Sequence, residues 1–118
     1  MIWAVSSPDR LSPTARDALD SPGELFVSAA SAWEVATKHR IGRLSGVDHM
    51  VAHWERELDR FGLKQLDIRH HHAIRAGSID VAHNDPFDRI IAAQAELDDL
   101  TLVASDRAFD LFPVRRLW

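Results

Sequence analysis

The chain contains no cysteine, which excludes a disulfide framework and any thiolate metal or redox centre and suits a reducing, cytoplasmic setting. Its apolar runs are too short to cross a bilayer. The opening Met-Ile-Trp-Ala-Val carries neither the basic stretch nor the cleavage site of a signal peptide, so neither membrane insertion nor export is expected. There is also no excess of positive charge. With 18 acidic against 14 basic residues, the formal net charge of -4 is not the footprint of a protein that grips nucleic acid through a basic surface. A site built from clustered carboxylates and cations remains compatible with that balance, because the cations neutralise bound phosphate. Internal repeats and low-complexity tracts are lacking, and proline and glycine punctuate elements without forming a linker. What remains is 118 residues, 46% of them apolar, enough for one core: a single domain over 1–118.

Within that domain the start and stop signals set out an order of elements. Ser12-Pro13 is an N-cap followed by proline at the first helical position, opening a helix to about Leu19 that Ser21-Pro22-Gly23 ends. Glu24 to Ala29 reads as a short buried strand. From Ser31, the spacing of Trp33, Ala36, Thr37 and Ile41 predicts a helix closed by Gly42. Val47, Val51, Trp54, Leu58 and Phe61 form one stripe of a second amphipathic helix that Gly62 stops. Leu63 to Ile68 follows as a strand and His70 to Ile79 as a helix. Asn84-Asp85-Pro86 opens the clearest helix, which runs to about Leu97; Leu100 to Ala104 is a strand, Ser105 to Phe109 a turn and short helix, and Val114 to Trp118 a last strand. Strands alternating with helices imply an α/β fold, a mostly parallel sheet with helices on both faces and sites beyond the carboxyl ends of the strands.

Three acids stand where such a site forms: Glu34, Asp88 and Asp106. Each also has an ordinary explanation. Glu34 precedes Lys38 by four residues, the favourable order for a surface ion pair of roughly 0.2 to 0.5 kcal/mol. Asp85 and Asp88 suit a helix cap and its dipole, and Asp106 suits a cap on the turn before Phe109. Helical geometry separates Asp88 from the rest, because it lies three, four and seven residues before Ile91, Ala92 and Ala95 and so faces the sheet, where a carboxylate needs a donor or a cation.

These residues carry a resemblance. The segments Ser-Ala-Ala-Ser-Ala-Trp-Glu-Val-Ala-Thr-Lys (28 to 38), Asn-Asp-Pro-Phe-Asp-Arg-Ile-Ile-Ala-Ala-Gln-Ala (84 to 95) and Leu-Thr-Leu-Val-Ala-Ser-Asp-Arg-Ala-Phe (100 to 109) resemble the PIN-domain toxins of VapC type in order, spacing and context. The resemblance implies a PIN-like three-layer fold. It also implies a metal-dependent endoribonuclease in which Glu34, Asp88 and Asp106 are catalytic acids that gather Mg²⁺ or Mn²⁺. The partners it implies are an RNA substrate, a cognate antitoxin and a second copy of the chain. Lys38 and Arg89 are the cations nearest that site, able to hold phosphate as well as to pair with the acids. The family's fourth acid ends a first strand upstream of the tryptophan that here is Trp3. Met1 to Val5 is therefore expected to match the following helix, with the usual first, central strand and its acid missing. An N-terminus trimmed upstream is the favoured explanation, ahead of a decayed copy or a gap closed by a partner strand. A catalytically inactive PIN-like module that binds an antitoxin or a dimer partner is the alternative, and a phosphoacceptor domain a weaker third.

Four other features have bland readings. The run His70, His71 and His72 reads as a solvated helix start, since consecutive helical residues point in different directions. His39 and His83 fall near the acids in the order of elements, where a histidine can touch RNA phosphate or position water, but an ordinary surface histidine is the better reading of each. Trp33, Trp54 and Trp118 read as core residues and not as base-stacking platforms. Trp54 and Phe61 also suit a face for a dimer mate or an antitoxin helix, although simple packing on the sheet explains their stripe equally well.

Overall fold

The helices begin where the sequence supplies a cap. In the computed structural model, which describes residues 1–3, 12–43 and 46–118, Ser12 accepts a hydrogen bond from the Ala15 amide at 3.1 Å and Pro13 is the first residue of α1, Pro13–Asp20. Ser28 accepts from the Ala30 amide at 3.0 Å, so α2, Ala29–Arg40, starts two residues before Ser31. Asp85 accepts from the amides of Phe87 (2.9 Å) and Asp88 (3.2 Å), with Pro86 opening α6, Pro86–Leu97. The Val47–Phe61 stripe is not one helix. His53, at φ -130° and ψ 41°, divides it into α3, Asp48–Ala52, and α4, Trp54–Arg60, after which Gly62 takes φ +70° and turns the chain. The helix α5, His70–Ser78, forms as its pattern requires.

The strands are β1, Ile2–Trp3; β2, Phe26–Ser28; β3, Lys64–Leu66; β4, Leu102–Val103; and β5, Arg116–Leu117, each shorter than its apolar run. Among the described residues they form one parallel sheet in the order β3-β2-β1-β4-β5. The expectation of a helix at the N-terminus and a sheet without its central strand is corrected here. Ile2 and Trp3 are that centre, paired with β2 on one side and β4 on the other, while Ala4 and Val5 lie outside the described residues. The reason is the hydrogen-bonding demand of two inner edges: the Ile2 amide donates to the Thr101 carbonyl at 2.9 Å and the Phe26 amide donates to the Met1 carbonyl at 2.9 Å. Side chains alternate across the sheet, so Ile2 enters one core with Ala30, Ile91, Leu102 and Phe109, and Trp3 packs on the other with Val27, Leu58 and Leu63. Apolar clusters on both faces make the three-layer α/β architecture.

One buried polar group ties these layers together near the carboxyl ends of the strands. Gln94, on α6, accepts from the Ser28 hydroxyl at 2.6 Å and donates to the Asp67 carbonyl at 3.2 Å, which fixes α6 against the ends of β2 and β3.

Candidate metal centre

The order of strands reverses at β1: β2 lies to one side and β4 to the other, and in a parallel sheet the crevice opens beyond the carboxyl ends at that point. Glu34 comes from the second turn of α2, which leaves β2; Asp106 follows β4; Asp88 sits in the first turn of α6. The side chains of Glu34 and Asp88 are only 14% and 16% exposed. Burial pushes the Glu34 carboxyl up from its ordinary pKa. The ion pair with Lys38, at 3.1 Å, opposes this, and the negative charges of Asp88 and Asp85 add to it. Burial likewise pushes Asp88 up, against a hydrogen bond from His83, and the charges of Asp85 and Asp106 raise it further. Glu34, Asp85, Asp88 and Asp106 thus share one electrostatic neighbourhood although they arise from three separate stretches of chain.

The ordinary roles coexist with this convergence. Asp106 is exposed and caps the 3₁₀ helix Arg107–Leu111, accepting from the Ala108 amide at 2.9 Å, and Asp85 caps α6. Asp88 is not a cap. Its Oδ2 accepts from His83 Nε2 at 2.8 Å. Asp85 and His83 are the members whose part the sequence reading understated: the capping pattern explained Asp85 without its charge on its neighbours, and His83, in the loop before α6, read as a surface histidine because no periodicity links it to Asp88.

Three readings of single residues change. Arg89 is not turned towards a substrate phosphate. Its Nε donates to the Ala76 carbonyl, Nη1 to those of Val81 and His83, and Nη2 to that of Ile79, so the guanidinium clamps the connection between α5 and α6. Arg89→Lys keeps the charge but loses this fork, and is expected to destabilise the fold by about 1.5 to 3 kcal/mol in denaturant unfolding. Undiminished stability would show that the clamp is dispensable. Trp33 is not core. It is 62% exposed on α2 and held edge-on against the ring of Phe87 at 4.7 Å.

His72 is not solvated. It is 1% exposed; Nδ1 accepts from the Arg69 amide at 2.9 Å and Nε2 faces Asp98 Oδ2 at 3.0 Å, while His70 and His71 remain exposed. His71, His72 and Asp98 bring donor atoms within 4.8 Å of one another. Even so, with the Nδ1 lone pair engaged by a backbone amide, Nε2 carries the proton and has no lone pair for a cation, so His72 is a satisfied core histidine.

Residues 1–114 match the PIN domain family. The chain belongs to that family. Among solved structures, this PIN domain is similar to VapBC2 from Rickettsia felis bound to a DNA fragment from its promoter, at 15% identity and TM-score 0.67, covering 98% of this chain and 97% of that one. It is also similar to FitAcB from Neisseria gonorrhoeae, at 21% identity and TM-score 0.62 with 98% and 96% covered. A third neighbour is FitAB bound to the IR36 DNA fragment, at 20% and 0.55 with 98% and 93% covered. At these identities the likeness is one of fold. No curated protein matches the chain. Among the described residues no helix is long and apolar enough to cross a membrane.

Of these acids, Glu34 borders a largely apolar cavity of about 480 Å³, whose wall also includes Trp3, Val27, Lys38, Trp54 and Phe61.

Proposed function

We propose that this PIN domain is a metal-dependent endoribonuclease, the toxin of a toxin-antitoxin pair, with Glu34, Asp88 and Asp106 as the ligands of Mg²⁺ or Mn²⁺. The observation that carries the reading is the burial of the Glu34 and Asp88 carboxyls, which together with neighbouring negative charge pushes both up from their ordinary pKa. Carboxylates gathered at that energetic cost are relieved by a hard divalent cation, and an all-oxygen donor set suits Mg²⁺ or Mn²⁺. The buried hydroxyl of Ser31, three residues before Glu34 on α2 and without a hydrogen-bond partner among the described residues, fits the same need for a ligand or its water. A bound ion supplies Lewis-acid polarisation of the phosphate and a lowered pKa for attacking water. The chain's own part is to hold the carboxylates at fixed positions on α2, α6 and the end of β4. Lys38, half-buried and paired with Glu34, is the cation that would meet a phosphate in this reading.

The similarity to the VapBC2 and FitAB structures supports an antitoxin as partner, and the apolar cavity beside Glu34 suits the apolar side chains of such a segment. A homodimer belongs to the same reading.

A single-stranded RNA incubated with the protein is expected to be cut on addition of Mn²⁺ and left intact with EDTA. One observation favours a second reading, an inactive PIN module that binds an antitoxin or a dimer partner: among the described residues the two of β1, Ile2 and Trp3, supply no carboxylate for the family's first acid. Calorimetric titration separates the two. Mn²⁺ binding that depends on Asp88 and Asp106 excludes the inactive module's prediction of weak or absent binding.

A further inference from the structure

His83 precedes α6, on the connection that Arg89 clamps. Three contacts fix it: its carbonyl accepts from Arg89 Nη1 at 2.9 Å, its ring stands edge-on to Phe112 at 5.8 Å, and Nε2 lies 2.8 Å from Asp88 Oδ2. An ionised carboxylate only accepts, so Nε2 is the donor of this pair. The carboxyl of Asp88 is thereby held by one oxygen, and Oδ1 is the oxygen left to a cation.

We infer that His83 is the positioning residue of the metal centre, orienting Asp88 through Nε2–H···Oδ2 with Arg89 as the brace that keeps His83 in place. The inference rests on the metal-centre reading above. Its physical basis is general: a ligating carboxylate that is itself hydrogen-bonded loses rotational freedom before the ion arrives, and removing such support typically lowers metal affinity about 10- to 100-fold. Arg89 serves as the brace because four carbonyls of residues 76–83 converge on one planar group, so the loop carrying His83 is held by a fork and not by side-chain packing alone.

Calorimetric titration of the intact chain with Mn²⁺ tests this, using wild type and three variants. His83→Phe keeps a ring against Phe112 and loses the donor; it is expected to bind Mn²⁺ about 10- to 100-fold more weakly with thermal stability in EDTA little changed. His83→Gln retains a nitrogen donor and is expected to recover most of the lost affinity. Asp88→Asn reports on the underlying reading and is expected to lose binding. Wild-type affinity in His83→Phe, alongside lost binding in Asp88→Asn, overturns the role of His83 while leaving the metal centre in place. So does failure of His83→Gln to improve on His83→Phe. Full affinity in Asp88→Asn, or no Mn²⁺ binding by the wild type, overturns the metal centre and the inference with it.

Discussion

Asp88→Asn is expected to abolish Mn²⁺-dependent RNA cleavage, by more than the 10- to 100-fold that follows loss of a residue which only supports a ligand. The same substitution is expected to stabilise the metal-free protein near neutral pH. The sign follows from the direction of the shift. Burial holds the folded-state pKa of Asp88 above its ordinary 3.8, so between that value and the folded one the native state binds more protons than the unfolded state, and stability falls as pH rises through the interval. Above the interval the deficit is present in full; below 3.8 both states are protonated and it vanishes. Asn carries no charge at any pH. Its advantage over wild type should therefore be largest at neutral pH and disappear on acidification, and thermal melts in EDTA across that range measure it. Addition of Mn²⁺ reverses the order: wild type gains about 2.7 kcal/mol at a hundredfold excess over Kd, and the variant gains little. Retained cleavage in Asp88→Asn removes the catalytic assignment, whatever the melts show.

Ile2→Ala is expected to have the largest effect on folding, about 2 to 5 kcal/mol in denaturant unfolding, out of the roughly 5 to 15 kcal/mol that holds a small domain folded. Ile2 is fully buried, in the core it shares with Ile91 and Leu102, on a strand bonded from both sides. The midpoint should fall with the denaturant slope unchanged, because the loss is of packing and not of the surface exposed on unfolding. A change within about 0.5 kcal/mol, the usual range for surface positions, would mean that Ile2 does not occupy the centre of the sheet.

Much of the local structure was legible in the sequence. Ser12-Pro13 and Asp85-Pro86 mark the starts of α1 and α6, and the spacing of Ile91, Ala92 and Ala95 behind Asp88 says which way that carboxylate faces. The pairing of Glu34 with Lys38 and the caps made by Asp85 and Asp106 likewise follow from neighbours within four residues. These features depend on hydrogen bonds and side-chain directions within about one helical turn, so a short window contains the whole argument.

The rest depends on groups far apart in the chain. Ile2-Trp3 becomes a strand because β2 and β4 present two inner edges, which nothing in Met-Ile-Trp itself announces. His53 divides one apolar stripe into two helices, His72 is buried against Asp98, and Trp33 is left exposed; each outcome belongs to packing against other elements. Arg89 spends its charge on the carbonyls of the preceding loop, a choice set by how that loop curls over α6. By itself the sequence determined most of the helices, the caps at Ser12, Asp85 and Asp106 and a set of acids at the sheet's end, since these follow from local periodicity and hydrogen-bonding chemistry. Only the tertiary structure decided which acids feel one another and which histidine holds Asp88. Burial and Coulombic repulsion depend on distance through space, and the fold alone brings Glu34, Asp85, Asp88 and Asp106 together.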